Sequence, residues 1–121
     1  MTQKDKELLL KDICARLPYG VIIHVNGRDE RVDEINPFEG IITCGFQSFS
    51  IDECKPYLRP MSSMTEEEKK EYAKQLFADL GGVYEDYYKA LDYLHTIHVD
   101  YRGLIEKGLA IAVTEENNPY K

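Results

Sequence analysis

Leu9, Leu10, Ile13, Cys14 and Leu17 recur at helical spacing near the start of the chain. That period predicts an amphipathic helix over residues 1–17 with one apolar face. Thr2 stands where its hydroxyl can cap the first turn, with Asp5 three residues on to return the bond. Pro18 ends the helix, because the residue before a proline is pushed out of the helical region.

The period then changes. "VIIHV" (21–25) is β-branched and apolar, and Asn26-Gly27 is the pair that a two-residue type I′ turn selects. A hairpin follows, whose return strand "RDERVDEI" offers only Val32 and Ile35 for burial and so reads as an edge strand closed by Pro37. "GIITCGFQ" (40–47) and "SFSIDE" (48–53) predict two more short strands, the first apolar enough to be central. Strands of this length over 20–53 curl into a small antiparallel meander or an SH3-like barrel.

From residue 65 the pattern is helical. Thr65 and Glu68 form a capping box, and Glu66 and Glu67 complete an acidic first turn that the helix dipole favours. These charges therefore read as helix punctuation rather than chemistry. Tyr72, Ala73, Leu76, Phe77 and Leu80 make the expected buried stripe, ended by Gly81-Gly82. A third helix is predicted from Val83 to His98, with Val83, Tyr87, Ala90, Leu91, Leu94 and Ile97 inward and Glu85, Lys89, Asp92 and Thr96 solvated. "DYRGLIEKGLAIAV" (100–113) predicts a short helix burying Leu104 and Ile105, broken at Gly108, then a last strand over 109–113. Residues 114–121 read as a loose tail. The expected fold is α+β: an N-terminal helix, a small antiparallel sheet of three to five strands and a helical C-terminal half, all in one domain spanning 1–121.

Composition narrows the function classes. At 121 residues with 43% apolar and 31% charged side chains, the chain can bury a core without metal or disulfide staples. A net charge of −7 disfavours a nucleic-acid coat, which begins with clustered cations. No apolar stretch of membrane-spanning or signal-peptide length is present, so the cytoplasm is the expected location. Cys14, Cys44 and Cys54 form no CxxC and suit reduced thiols there.

Candidate chemistry is sparse. His95 and His98, three apart on a predicted helix, are the only metal-ligand candidates, with Asp100 or Glu106 to complete a shell, and the spacing lacks a second ligand pair. Cys44 and His24 could meet across strands as nucleophile and base, but Ile41, Ile42 and Phe46 around the thiol argue for a small buried hydrophobe. No phosphate loop, nucleophile elbow or paired CxxC occurs, and no cofactor is implied. The tyrosines are the better lead: nine of them, with Tyr84, Tyr87, Tyr88, Tyr93 and Tyr101 gathered together, exceed what one helical stripe can bury. An exposed patch of Tyr84, Tyr88, Tyr93 and Tyr57 suits a protein partner, as does the charged hairpin 26–36 with Arg28 and Arg31.

At "LLLKDICARLPYGV" (8–21), "KPYLRPMSSMTEEEKKEY" (55–72) and "DYRGLIEKGLAI" (100–111) the chain resembles a family of small uncharacterised proteins of gut Bacteroides-type bacteria and their phages or mobile elements. That resemblance implies a compact accessory protein and carries over no activity, cofactor or site residue. The leading expectation is a noncatalytic module that binds a protein, with a homodimer compatible with the sequence. The alternatives are a nucleic-acid-associated or DNA-mimicking protein and, behind it, a small metal- or cysteine-dependent enzyme built on His24, Cys44, His95 and His98.

Overall fold

The computed structural model describes residues 1–76 and 83–121, with side chains for 1–76 and 87–121. Helix α1 (Gln3–Arg16) begins at the predicted cap: Thr2 Oγ1 accepts from the Asp5 N–H at 3.1 Å, and the Asp5 carboxylate accepts from the Thr2 N–H at 3.2 Å. Its buried face is Leu9, Asp12, Ile13 and Arg16. Hydropathy alone puts Cys14 on that face, yet Cys14 is exposed and two charged residues stand in the apolar stripe instead. A 3-10 turn (Leu17–Tyr19) carrying Pro18 then leads to Gly20, which adopts a left-handed φ of 75° and lies against the Arg31 guanidinium.

Strands β1 (Ile22–Val25) and β2 (Arg28–Arg31) form the predicted hairpin, with Asn26 and Gly27 at φ 52° and 73°, the positive angles a type I′ turn needs. The charged return segment is not one strand, however. Val32 is buried with its N–H on Val21 O, Asp33 donates to Thr43 O, and the chain crosses into a second sheet. There β3 (Glu34–Asn36), β4 (Ile41–Cys44) and β5 (Gln47–Ser50) pair antiparallel in chain order.

Strand β6 (Lys55–Pro60) is the hub of the larger sheet. It pairs antiparallel with β1, through Ile23 opposite Pro56, and parallel with both β7 (Val99–Asp100) and β8 (Ile111–Ala112). The larger sheet is thus mixed rather than antiparallel, because β6 recruits strands from the C-terminal part of the chain. Its prolines, which make "KPYLRP" look like a loop, occupy the second and last positions of the strand.

Helix α2 (Glu66–Leu76) starts with the predicted capping box, Glu68 N–H to Thr65 Oγ1 at 3.1 Å and Thr65 N–H to Glu68 at 2.9 Å. None of its described residues is fully buried: Tyr72 packs partly covered against Met64, Leu94 and Val99, and Ala73 is exposed. Phe77, Leu80 and Gly81-Gly82 lie outside the described residues. Helix α3 (Val83–Thr96) buries Ala90 and Leu94, and His98 leaves it at φ 59° to enter β7. The short helix expected after residue 100 is a series of turns. Buried Asp100 organises it, accepting from the N–H groups of Arg102, Leu104 and Ile105 at 3.0–3.2 Å and so competing with helical hydrogen bonding. One apolar cluster, running in sequence from Leu9 to Ala110 and including Ile13, Ile23, Ile42, Leu58 and Leu104, joins α1 to both sheets.

The tail is not loose either. Tyr120 accepts a hydrogen bond from Ile22 N–H at 3.1 Å, donates one to Tyr57 O at 2.8 Å, and stacks on His98.

Candidate functional site

Helical spacing puts Asp12 and Arg16 one turn apart on the buried face of α1, where both are fully covered. Burial of charge is costly unless the geometry is good, and here it is. Arg16 Nε and Nη2 bond to the two oxygens of Asp12 at 2.8 and 3.2 Å, and Nη2 also donates to Val99 O at 2.7 Å. Arg102, from the turns after β7, reaches the same carboxylate through Nε at 3.0 Å. One acid thus faces two guanidiniums.

A directional chain of hydrogen bonds runs outward from this cluster. Arg102 Nη2 donates to the Tyr101 hydroxyl at 2.7 Å, and that hydroxyl lies 2.6 Å from His95 Nε2. Asp92 lies 3.3 Å from His95 Nδ1 and, being an acceptor, places the imidazole proton on Nδ1 and leaves Nε2 to accept from Tyr101. Asp92 accepts also from the Tyr19 hydroxyl at 2.5 Å. Burial lowers the His95 pKa, against the pull of Asp92, so the ring is neutral at pH 7. The Arg102 guanidinium sits 4.8 Å from the centroid of the Tyr101 ring, a cation–π contact that fixes both groups.

Above this network a cleft of about 720 Å³ opens between α1 and α3. Lys11 and Ala15 form one wall, Lys89, Leu91, Asp92 and His95 the other, with Tyr101 and Arg102 also in the lining. Tyr87 and Tyr88, 50% and 67% exposed and edge-to-face at 6.2 Å, line it too. Tyr87 was the residue that helical spacing assigns inward, so its exposure is a correction. The arrangement suits binding: a fixed guanidinium, two exposed lysines, large amphipathic rings and a neutral imidazole.

The other sequence candidates scatter. Tyr88 is exposed as expected, whereas Tyr93 is partly buried against Met64, Leu94 and Val99. Tyr57 is 7% exposed, its hydroxyl donating to Asp29 at 2.8 Å, so it belongs to the sheet and not to an open patch. The side chain of Tyr84 lies outside the described residues. Arg28 is held by Gln47 at 2.6 Å, and the Arg31 guanidinium lies beside Gly20; no described hydrogen bond or cavity joins either to the Tyr88 face.

His95 and His98 do not converge. His98 stacks on Tyr120 at 3.8 Å and 11°, and burial, then Arg16 and Arg59, push its pKa down to about 4. Among the described residues no group of three or more His, Cys, Asp or Glu side chains is placed to hold a metal. Cys44 and His24 stand in different sheets, and burial raises the Cys44 thiol to about 11, out of the nucleophilic range. His24 instead bonds Asp29 through Nδ1 at 2.9 Å, and no described cavity opens beside it.

Sequence reasoning missed Lys11, Asp12, Arg16 and Arg102, and placed Tyr101 only within the tyrosine group. Asp12 and Arg16 did carry a signal: an acid and a base four apart, in register with Leu9 and Ile13. The chain has no significant match to any protein-family model, curated protein or solved structure. No helix among the described residues is long and apolar enough to cross a membrane.

Proposed function

We propose that the protein is a noncatalytic interaction module of the cytoplasm that docks a protein partner on the exposed face of α3 around Tyr87 and Tyr88. One observation carries the reading: two large aromatic side chains stand half or more exposed beside a cleft whose inner residues are locked by hydrogen bonds. Tyrosine is enriched at protein interfaces because it brings contact area with a polar tip and loses little side-chain freedom on docking. The raised thiols of Cys44 and Cys54 and the stacked His98 offer no activated nucleophile or base at this face. An accessory role in a phage or mobile element, which the resemblance implies, fits such a module.

The test is photo-crosslinking in the native host. A benzoylphenylalanine at position 88 should trap one defined protein, and the same group at position 116, on an exposed tail residue, should not. Tyr88→Ala should weaken capture of that protein while leaving the unfolding midpoint unchanged. Equal crosslinking from both positions, or none from 88, would overturn the reading.

A further inference from the structure

The charge of the cleft opposes the charge of the chain. Its described lining carries Lys11, Lys89 and Arg102 against the single carboxylate of Asp92, within a protein of net charge −7. Lys11 and Lys89 are exposed and make no ion pair among the described residues. Arg102 is aimed by Asp12 and Tyr101, but Asp12 is shared with the fully buried Arg16, so one negative charge serves two positive ones. Arg16 Nη1 is buried with no hydrogen-bond partner. Asp100, two residues before Arg102, is committed to three backbone N–H groups. Among the described residues the cations therefore remain under-neutralised.

We propose that the α1–α3 cleft is a carboxylate-binding site, and that its occupant is an acidic segment of the protein partner. Acid side chains of the segment pair with Lys11, Lys89 and Arg102, and its backbone lies along Tyr87 and Tyr88. This rests on the interaction-module reading. Charge complementarity selects the occupant: the cleft attracts a short acidic segment locally, whereas the long negative field of the chain repels an extended nucleic-acid polyanion. The tyrosines supply area that a free inorganic anion does not use.

Binding of hexaglutamate to the folded full chain, followed by the ring signals of His95 in NMR spectra, tests the site; His24, on the β1–β2 hairpin and outside the cleft lining, serves as internal control. The expected result is a saturable shift of His95 alone, weakened about tenfold in the double variant Lys11→Glu/Lys89→Glu. Both substituted positions are exposed, so the fold is retained and the variant's own dispersed spectrum verifies it. A His95 signal that stays put, or that moves equally in the variant, overturns the site. Saturable binding of inorganic phosphate or of a thymidine octamer in place of hexaglutamate overturns the acidic segment as occupant. Crosslinking from position 88 that survives the double charge reversal leaves the interaction module standing while the carboxylate site falls.

Discussion

The Tyr120 ring lies flat on His98, with centroids 3.8 Å apart and planes 11° from parallel. This contact places the Tyr120 hydroxyl between Ile22 N–H and Tyr57 C=O, on neighbouring strands β1 and β6. The two strands pair directly only at Ile23–Pro56 and His24–Lys55. A side chain from the C-terminal segment therefore completes the ladder where the strands no longer bond to each other.

Tyr120→Phe should keep the stacking and remove both hydrogen bonds, leaving a backbone donor and acceptor without their partner. The expected cost is about 1–3 kcal/mol of unfolding free energy, read from urea denaturation. Removal of residues 119–121 should cost more, because the His98 ring is uncovered as well. A Phe variant as stable as the parent would show that the hydroxyl does not hold the strands.

His98 also sets an acid sensitivity. Its folded pKa falls from 6.5 to about 4, chiefly through burial, so between those values the unfolded chain binds a proton that the folded chain refuses. Stability is then fully present above about 6.5 and declines as pH falls toward 4. His95, lowered in the same direction, adds to this loss. Below 4.5 a second decline follows as Glu68, which Arg59 holds down to about 2, is protonated. His98→Asn, which tolerates the positive φ, should flatten the urea midpoint between pH 6.5 and 4 in part and leave the lower decline intact. An unchanged profile in that window would remove His98 from the account.

The features legible in sequence are those decided within a few residues. Thr2 with Asp5, Thr65 with Glu68, and Asn26-Gly27 each satisfy their backbone locally, and each forms as the spacing dictates. Strand β6 was hidden because its identity depends on partners from residue 23 to residue 112, while its two prolines speak locally for a loop. The turns after β7 were hidden for the same reason: Asp100 must first be buried before its carboxylate can gather three N–H groups. In α1 the hydrophobic period was right, but charge excluded Asp12 and Arg16 from the face they occupy. Among the described residues, Tyr88, named as a binding residue, and His95, named as a metal-ligand candidate, both line the cleft.

Asp12 and Arg16 should behave as a coupled pair. Asp12→Ala leaves two guanidiniums facing each other without their shared counter-charge, and the expected loss is about 3–5 kcal/mol. The double variant Asp12→Leu/Arg16→Met removes the fully buried pair together and leaves only the part-exposed Arg102 without its acid, so it should cost clearly less than the two single changes summed. Strict additivity in a double-mutant cycle of urea unfolding would mean that the bond contributes little.

The three thiols should separate under iodoacetamide in the native protein. Cys14 is exposed on α1, whereas Cys44 and Cys54 are buried on the inner sides of the sheet region, with pKa values raised by burial to about 11 and 12. Alkylation proceeds through the thiolate, so at pH 8 both inner thiols have a vanishing reactive fraction as well as no access. Burial raises Cys14 too, which slows it relative to a free thiol without hiding it. Mass spectrometry should therefore find one adduct, at Cys14, with the second and third appearing only in denaturant. Rapid labelling of Cys44 in the folded chain would overturn its placement in the core and reopen the nucleophile role that its pairing with His24 once offered.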